Sequence, residues 1–376
     1  MGGDVKEKEP FPKEFMTKEE YNLWLCSLDG IGSKKLKKIL HNFPSAEAVF
    51  WAPEDCLENI TGITKKDVHI IVESRKKYNP AHWHGKLQSC QMRCTSYLSE
   101  DYPEECRQLY QPPKRLFYKG SLPLEEHRIA VVGARDCSLY GRSVARYFSA
   151  SLAGRGIAVI SGMARGIDGW AHQGALEGGG KTYAVLGNSA EICYPSEHSR
   201  LYRSIIRQGG VLSEYPPGTR ARASFFPMRN RIISALAEGV LVVEARAKSG
   251  SLITADQALE QGKDVFVIPG RVGDALSEGC NNLIKQGACL VTSPEEIVEC
   301  LGIGTEENKE KFTNLYIHLE TKEKMVYDSL SFEPKHLSTL TDDLGMEQTE
   351  VTRCLLSLLK GGLVREIGNH YYTKCS

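Results

Sequence analysis

Between residues 125 and 302 a set of short apolar runs recurs, separated mostly by stretches with helical spacing. They read I-A-V-V-G, I-A-V-I-S, T-Y-A-V-L-G, V-L-S-E, V-L-V-V-E, D-V-F-V-I-P and A-C-L-V-T. Nearly continuous apolar runs suit strands buried on both faces, with helices from the intervening stretches as the covering layers. The pattern predicts an α/β domain on a mostly parallel sheet over 125–302. Around it the sequence divides further. Residues 1–80 are helical: E-F-M-T-K-E-E-Y-N-L-W-L opens an amphipathic stretch, and Leu36, Ile39 and Leu40 keep its spacing. Residues 81–124 connect, with Tyr102-Pro103, Pro112-Pro113 and Tyr118-Lys119-Gly120. A charged linker over 303–320 leads to a small module at 321–376.

Charge does not select a partner globally, because 47 Lys and Arg balance 47 Asp and Glu in a chain of 376 residues. Electrostatic binding must come from local placement. No apolar run has membrane-spanning length, and the start M-G-G-D-V-K-E-K-E-P lacks a signal peptide's apolar core. Lys6 stands where a myristoylation signal wants Ser or Thr. A cytoplasmic protein without membrane contact is expected. The 12 cysteines run from Cys26 to Cys375 with no C-x-x-C, so they read as small buried hydrophobes, not metal ligands or disulfides.

Four turns hold the charged and glycine residues of interest. After the first run comes Gly133-Ala134-Arg135, with one glycine where a dinucleotide site needs G-x-G-x-x-G, so NAD binding is disfavoured. Arg135 at a strand's carboxyl end suits a phosphate or base contact, with a plain surface arginine as the alternative. The second turn is Ser161-Gly162-Met163-Ala164-Arg165-Gly166, with Asp168 just inside the next helix. Ser161, Arg165 and the free N–H groups of the helix start can surround an anion. Asp168 and His172 share a helix side, but Asp168 reads more simply as a first-turn acid than as half of an acid–base pair.

The third turn is Phe225-Phe226-Pro227-Met228-Arg229-Asn230-Arg231. Two arginines at a positive helix end call for an anion or an acidic side chain, and Glu214 or Glu244 is the internal candidate for Arg231. Phe225 is either a stacking surface for a base or a core residue. The fourth turn is Arg246-Ala247-Lys248-Ser249-Gly250-Ser251: a strand end, two cations and a helix start. It is not a Walker A loop, because G-x-x-x-x-G-K-[ST] is absent.

These blocks resemble the DprA/Smf family, the DNA-processing proteins of natural transformation. The matching stretches include S-G-M-A-R-G-I-D-G-W-A-H-Q-G-A-L, L-S-E-Y-P, F-P-M-R-N-R-I-I-S, S-G-S-L-I-T-A, V-F-V-I-P-G and G-C-N-N-L-I-K-Q-G-A, in the family's order from about residue 114 to 302. The resemblance implies an extended Rossmann-like domain that binds single-stranded DNA, forms a homodimer and loads the RecA recombinase onto the strand. It implies neither a cofactor, a metal nor a catalytic residue. Its DNA-binding role carries over to Arg135 and Arg165, and further to Arg229, Lys248, Ser249 and Gly250. Gly133, Ser161, Gly162 and Gly166 join them as residues of the same turns. The chain departs from the family at Asn188-Ser189-Ala190-Glu191-Ile192-Cys193, at His198 and at Ala134, where serine is frequent.

The flanking modules are read by the same resemblance. Leu28-Asp29-Gly30-Ile31-Gly32-Ser33-Lys34-Lys35 is similar to a helix-hairpin-helix turn, with Ile60–Lys66 a weaker echo; DNA contact and simple helix packing are equal alternatives. Residues 321–376 resemble a winged helix. Its third helix begins with Glu347 and Glu350, which favours a partner-binding or dimer-stabilising role over sequence reading. The competing class is a nucleotide-processing Rossmann-like hydrolase using Asp168, Glu214 and Glu244, but Pro269-Gly270-Arg271-Val272 does not supply the P-G-G-x-G-T-x-x-E pattern of such enzymes.

Overall fold

The computed structural model describes residues 16–125, 127–303, 320–331, 333–361 and 363–374. The amino-terminal start and nearly all of the charged linker, whose sequence features were noted above, lie outside the described residues. Two compact units emerge. The first comprises Met1–Lys119 with Asn188–Ile192 and Leu212–Ala221, and the second holds Gly120–Gly187, Cys193–Val211 and Arg222–Ser376.

The first unit is helical where the amphipathic spacing predicts. Its helices are α1 (Lys18–Ser27), α2 (Ser33–Asn42), α3 (Ala46–Trp51), α4 (Glu54–Glu58), α5 (Lys65–Lys77) and α6 (Pro80–Ser89). Thr17 and Thr64 close capping boxes with Glu20 and Asp67, satisfying orphan N–H groups at the starts of α1 and α5. Trp24, Leu25, Ile39, Val49 and Ile71 are buried together, and the Trp24 ring meets Phe50 edge-on at 4.7 Å. Between α1 and α2 the chain turns through Gly30 at φ +90°, a conformation side chains resist. Strand β1 (Arg93–Ser96), a short helix α7 (Glu104–Arg107) and strand β2 (Arg115–Gly120) follow, with β1 antiparallel to β2.

The second unit carries the sheet. Its strands are β3 (Arg128–Val132), β4 (Ala158–Ser161), β5 (Thr182–Val185), β6 (Gly210–Ser213), β7 (Gly239–Val242), β8 (Asp264–Val267) and β9 (Cys289–Leu290), in the order β6-β5-β4-β3-β7-β8-β9. The pairs of β3 with β4 and β7, of β4 with β5, and of β8 with β7 and β9 are all parallel. Each apolar run of the sequence has become one of these strands. The helices between them are α8 (Leu139–Gly154), α9 (Ile167–Glu177), α10 (Ser199–Gln208), α11 (Phe225–Ala235), α12 (Gly250–Glu260), α13 (Glu278–Lys285) and α14 (Pro294–Cys300). Ile129, Val131, Val159, Leu241 and Phe266 of the strands pack with Phe148 and Leu152 of α8, Ala171 and Ala175 of α9, and Ile297 of α14. Helices α11 and α12 pack on each other and against β5, β7 and β8. With apolar partners on both sides, β3 to β7 are buried along their whole length, whereas the edge strand β9 is exposed.

The carboxyl-terminal residues form helices Thr321–Ser329, Leu337–Leu344 and Gln348–Lys360, with strands Lys335–His336, Val364–Gly368 and Tyr371–Lys374 in one small antiparallel sheet. Val326, Leu340, Val351, Leu355 and Leu358 make its core. Among the described residues no helix is long and apolar enough to cross a membrane.

Candidate nucleic-acid interface

Strand order locates the site before any side chain is considered. The chain leaves β3 through β4, β5 and β6 on one side and returns through β7, β8 and β9 on the other. At such a reversal the connections depart to opposite faces and open a crevice at the strands' carboxyl ends. Backbone hydrogen bonds knit three loops there: Ala134 N donates to Glu244 O at 2.7 Å, and Ile167 N to Ala134 O at 3.1 Å. Gly166 sits at φ +72°, and a Cβ on it would lie 2.2 Å from Ala134 O. Only glycine lets the loop after β4 rest on the loop after β3, which brings the segments carrying Arg135 and Arg165 side by side.

Several expected ligand groups turn inward instead. Ser161 is fully buried and its hydroxyl donates to Val131 O at 2.7 Å, so it ties β4 to β3 and offers nothing to an anion. Arg229 is 4% exposed; its Nη1 donates to Gly162 O at 2.8 Å and also to Val185 O. Its position on α11 rotates it under the loops, making it an internal strut and not a rim contact. A Cβ on Gly162 would meet the Arg229 guanidinium at 2.5 Å, and one on Gly133 would meet Ile167 Cγ1 at 2.6 Å. Both glycines therefore serve close packing of the loops against their neighbours.

The carboxylates are also committed. Asp168 accepts from Gly162 N at 3.1 Å and Ala164 N at 3.4 Å, so its carboxylate is spent on the loop before α9. Burial pushes its pKa up, opposed by the charge of Arg229, these two N–H groups and the charge of Arg135. His172 is buried with Nδ1 2.6 Å from Thr182 Oγ1, and burial takes its pKa down to about 3, so it stays neutral near pH 7. Glu244 is buried and accepts from Ser138 N at 2.9 Å and from the Ser138 hydroxyl, capping the start of α8. Neither acid stands open to a substrate.

What faces outward is a set of cations and rings. Arg135 is exposed and its guanidinium carbon lies 5.3 Å from the centre of the Phe226 ring. Tyr194, 48% exposed, stacks on Phe226 with centroids 5.7 Å apart and planes 28° off parallel. Guanidinium and phenol thus both rest against the Phe226 ring, a cluster of the kind against which bases stack. The sequence left Phe225 between a stacking surface and the core; the structure puts Phe226 against Arg135 and Tyr194, while Arg222 lies over Phe225 at 5.5 Å. Arg165 is exposed and holds Glu197 through two bonds, Nε to Oε1 at 2.6 Å and Nη2 to Oε2 at 2.9 Å. Hydrogen bonding to Glu197 raises the Arg165 pKa and lowers that of its partner. Both remain open to water, so this pair adds little to stability and is readily exchanged. Lys248 and Gly250 are exposed at the start of α12, a Cβ on Gly250 would meet nothing within 4 Å, and Ser249 caps that helix. Asn230 Nδ2 donates to Gly250 O at 3.3 Å and ties the middle of α11 to the start of α12.

A parallel-sheet α/β protein with arginine and aromatic side chains at its topological switch point, its acids tied to backbone N–H groups, is thereby defined. The model of the family DNA recombination-mediator protein A matches residues 93–302, more than half of the chain, and the chain belongs to that family. Protein Smf of Escherichia coli K12 is 51% identical over 208 residues, 55% of this chain and 56% of that protein's length. DNA processing protein DprA of Streptococcus pneumoniae R6 is 37% identical over 279 residues, 74% of this chain and 96% of the relative. The X-ray structure of DprA from Streptococcus pneumoniae superposes with a TM-score of 0.64 at 37% identity, over 76% of this chain and 98% of that one. A structure of DNA processing protein A from Helicobacter pylori, described for its single-stranded DNA binding mode, gives 0.52 at 28% identity, over 56% of this chain and 95% of that one.

Proposed function

We propose that this chain binds single-stranded DNA at the carboxyl edge of its sheet and acts as a recombination mediator, as its family does. It is a binding protein, not an enzyme. The observation that carries the site is the stack of Arg135, Phe226 and Tyr194 beside Arg165: cations to meet phosphates, rings to meet bases. Lys248, Ser249 and Gly250 extend the rim at the start of α12. The hydrolase alternative loses two of its three acids, since Asp168 and Glu244 both serve backbone groups.

The finer organisation follows the resemblance. Residues 1–80 are a helix-hairpin-helix module, 81–124 a connection, 125–302 the Rossmann-like DNA-binding domain, 303–320 a linker and 321–376 a winged helix. The protein works in the cytoplasm as a homodimer and passes its strand to RecA. Two glutamates at the leading end of helix Gln348–Lys360 support a protein-facing role for the winged helix. The test is fluorescence anisotropy with single- and double-stranded oligonucleotides of one sequence, across a salt titration. Single-strand preference and an affinity that falls with salt are expected; indifference to salt overturns the proposal.

A further inference from the structure

Helix α10 reads S-R-L-Y-R-S-I-I-R-Q, ten residues without a carboxylate. Tyr202 and Ile205 are buried, while Arg200, Arg203 and Arg207 are exposed. Spacings of three and four residues place the three arginines on one side of the helix, opposite the buried pair. Among the described residues none of them has a carboxylate partner. Like charges one turn apart repel, so a row of this kind destabilises its own helix unless a polyanion lies along it. The row also starts at the site. His198, the residue before α10, has Nδ1 3.2 Å from Met163 O, and its ring would lie 2.8 Å from a Cβ on Gly169 of α9. Its neighbour Glu197 holds Arg165. Because α10 joins β5 to β6, it runs from the carboxyl edge of the sheet back toward the strands' amino ends.

We propose that Arg200, Arg203 and Arg207 form a second segment of the strand path, taking the phosphates of single-stranded DNA that leaves the aromatic stack and runs down α10. Seven residues of helix span about 10 Å. A stacked strand carries a charge about every 3.4 Å, so the row matches about three phosphates. The inference rests on the strand-binding function proposed above and extends the site from a rim to a track.

The test uses the full chain and labelled oligothymidylates of about 6 and about 20 nucleotides, the first near the small end and the second beyond the large end of one small domain's footprint of about 4–16 nucleotides. The triple variant Arg200→Glu/Arg203→Glu/Arg207→Glu keeps the affinity for the short strand and loses at least about tenfold on the long one. Its salt slope on the long strand falls by about 2, the share of three single-strand phosphates. A triple Arg→Gln variant, checked by its melting temperature, shows a smaller loss of the same pattern. Equal losses on both lengths, or none on the long one, overturn the track. If the parent chain binds neither strand, the strand-binding function itself fails; if it binds both and the variant matches it, only the track fails.

Discussion

The turn between α1 and α2 and the loops at the carboxyl edge of the sheet use the same ingredients: a glycine at positive φ, a helix start and two cations. They differ in what the cations touch. In the helical unit Lys35 reaches Asp67 at 2.7 Å, and that carboxylate is only 3% exposed. Lys34 instead lies over the ring of Tyr110 at 4.4 Å, and that ring is 75% exposed, so of the two lysines only Lys35 is tied into the fold. At the sheet, Arg165 holds a carboxylate that is 50% exposed, and Arg135 rests on a ring that itself carries a second ring. A cation with a buried partner belongs to the fold, whereas one whose partner faces water can exchange it for a phosphate. Glycine and lysine in a turn are therefore not sufficient for a phosphate site.

The largest expected effect lies beneath the rim. Arg229→Met removes the cation beside buried Asp168 and strips Gly162 O of its donor, and should cost about 3–5 kcal/mol of stability in urea denaturation. Next comes Phe226→Ala, which breaks the aromatic stack and should lower single-strand affinity by about 1–3 kcal/mol in anisotropy, with little change in melting temperature. Arg135→Glu and Arg165→Glu should each weaken strand binding about tenfold and flatten its salt dependence without unfolding the domain. An unchanged affinity in either variant would break the contrast between the two regions.

The smallest effect sharpens it. Lys35→Met should leave strand affinity unaltered and cost about 1 kcal/mol of stability, since Asp67 keeps its bonds from Thr64. Burial pushes the Asp67 pKa up, but hydrogen bonds from Lys35 and Thr64 outweigh it and hold the group below its ordinary 3.8. A depressed carboxylate pKa stabilises the fold above 3.8, and that contribution is lost as pH falls through the lower folded value. Acid unfolding of the Lys35→Met variant should accordingly show a shallower limb below that pH. A loss of DNA binding in this variant would mean that the hairpin turn is a DNA contact after all.

The sheet was legible because burial on both faces writes itself into consecutive residues: I-A-V-V and V-L-V-V announce β3 and β7 without any long-range information. The rim was legible in outline, since a glycine and an arginine after a strand mark a turn at its carboxyl end. Which arginine faces water was not. Arg229 lies on α11, and only that helix's rotation against the loops decides that it points beneath them while Arg135 stays exposed. The stack escaped for a similar reason. Tyr194 and Phe226 lie on different connections, and their contact depends on how two loops fold over the sheet, which neither local spacing nor propensity records.

Asp168 has one further consequence. By accepting from Gly162 N and Ala164 N, it fills two backbone donors of that loop with a side chain of the same molecule. A small phosphate ester must displace a competitor already fixed at high effective concentration, whereas a polymer can bypass it by gathering many weaker attachments elsewhere along the edge. ATP and other mononucleotides at cellular levels should accordingly neither shift its melting temperature nor compete with a bound strand.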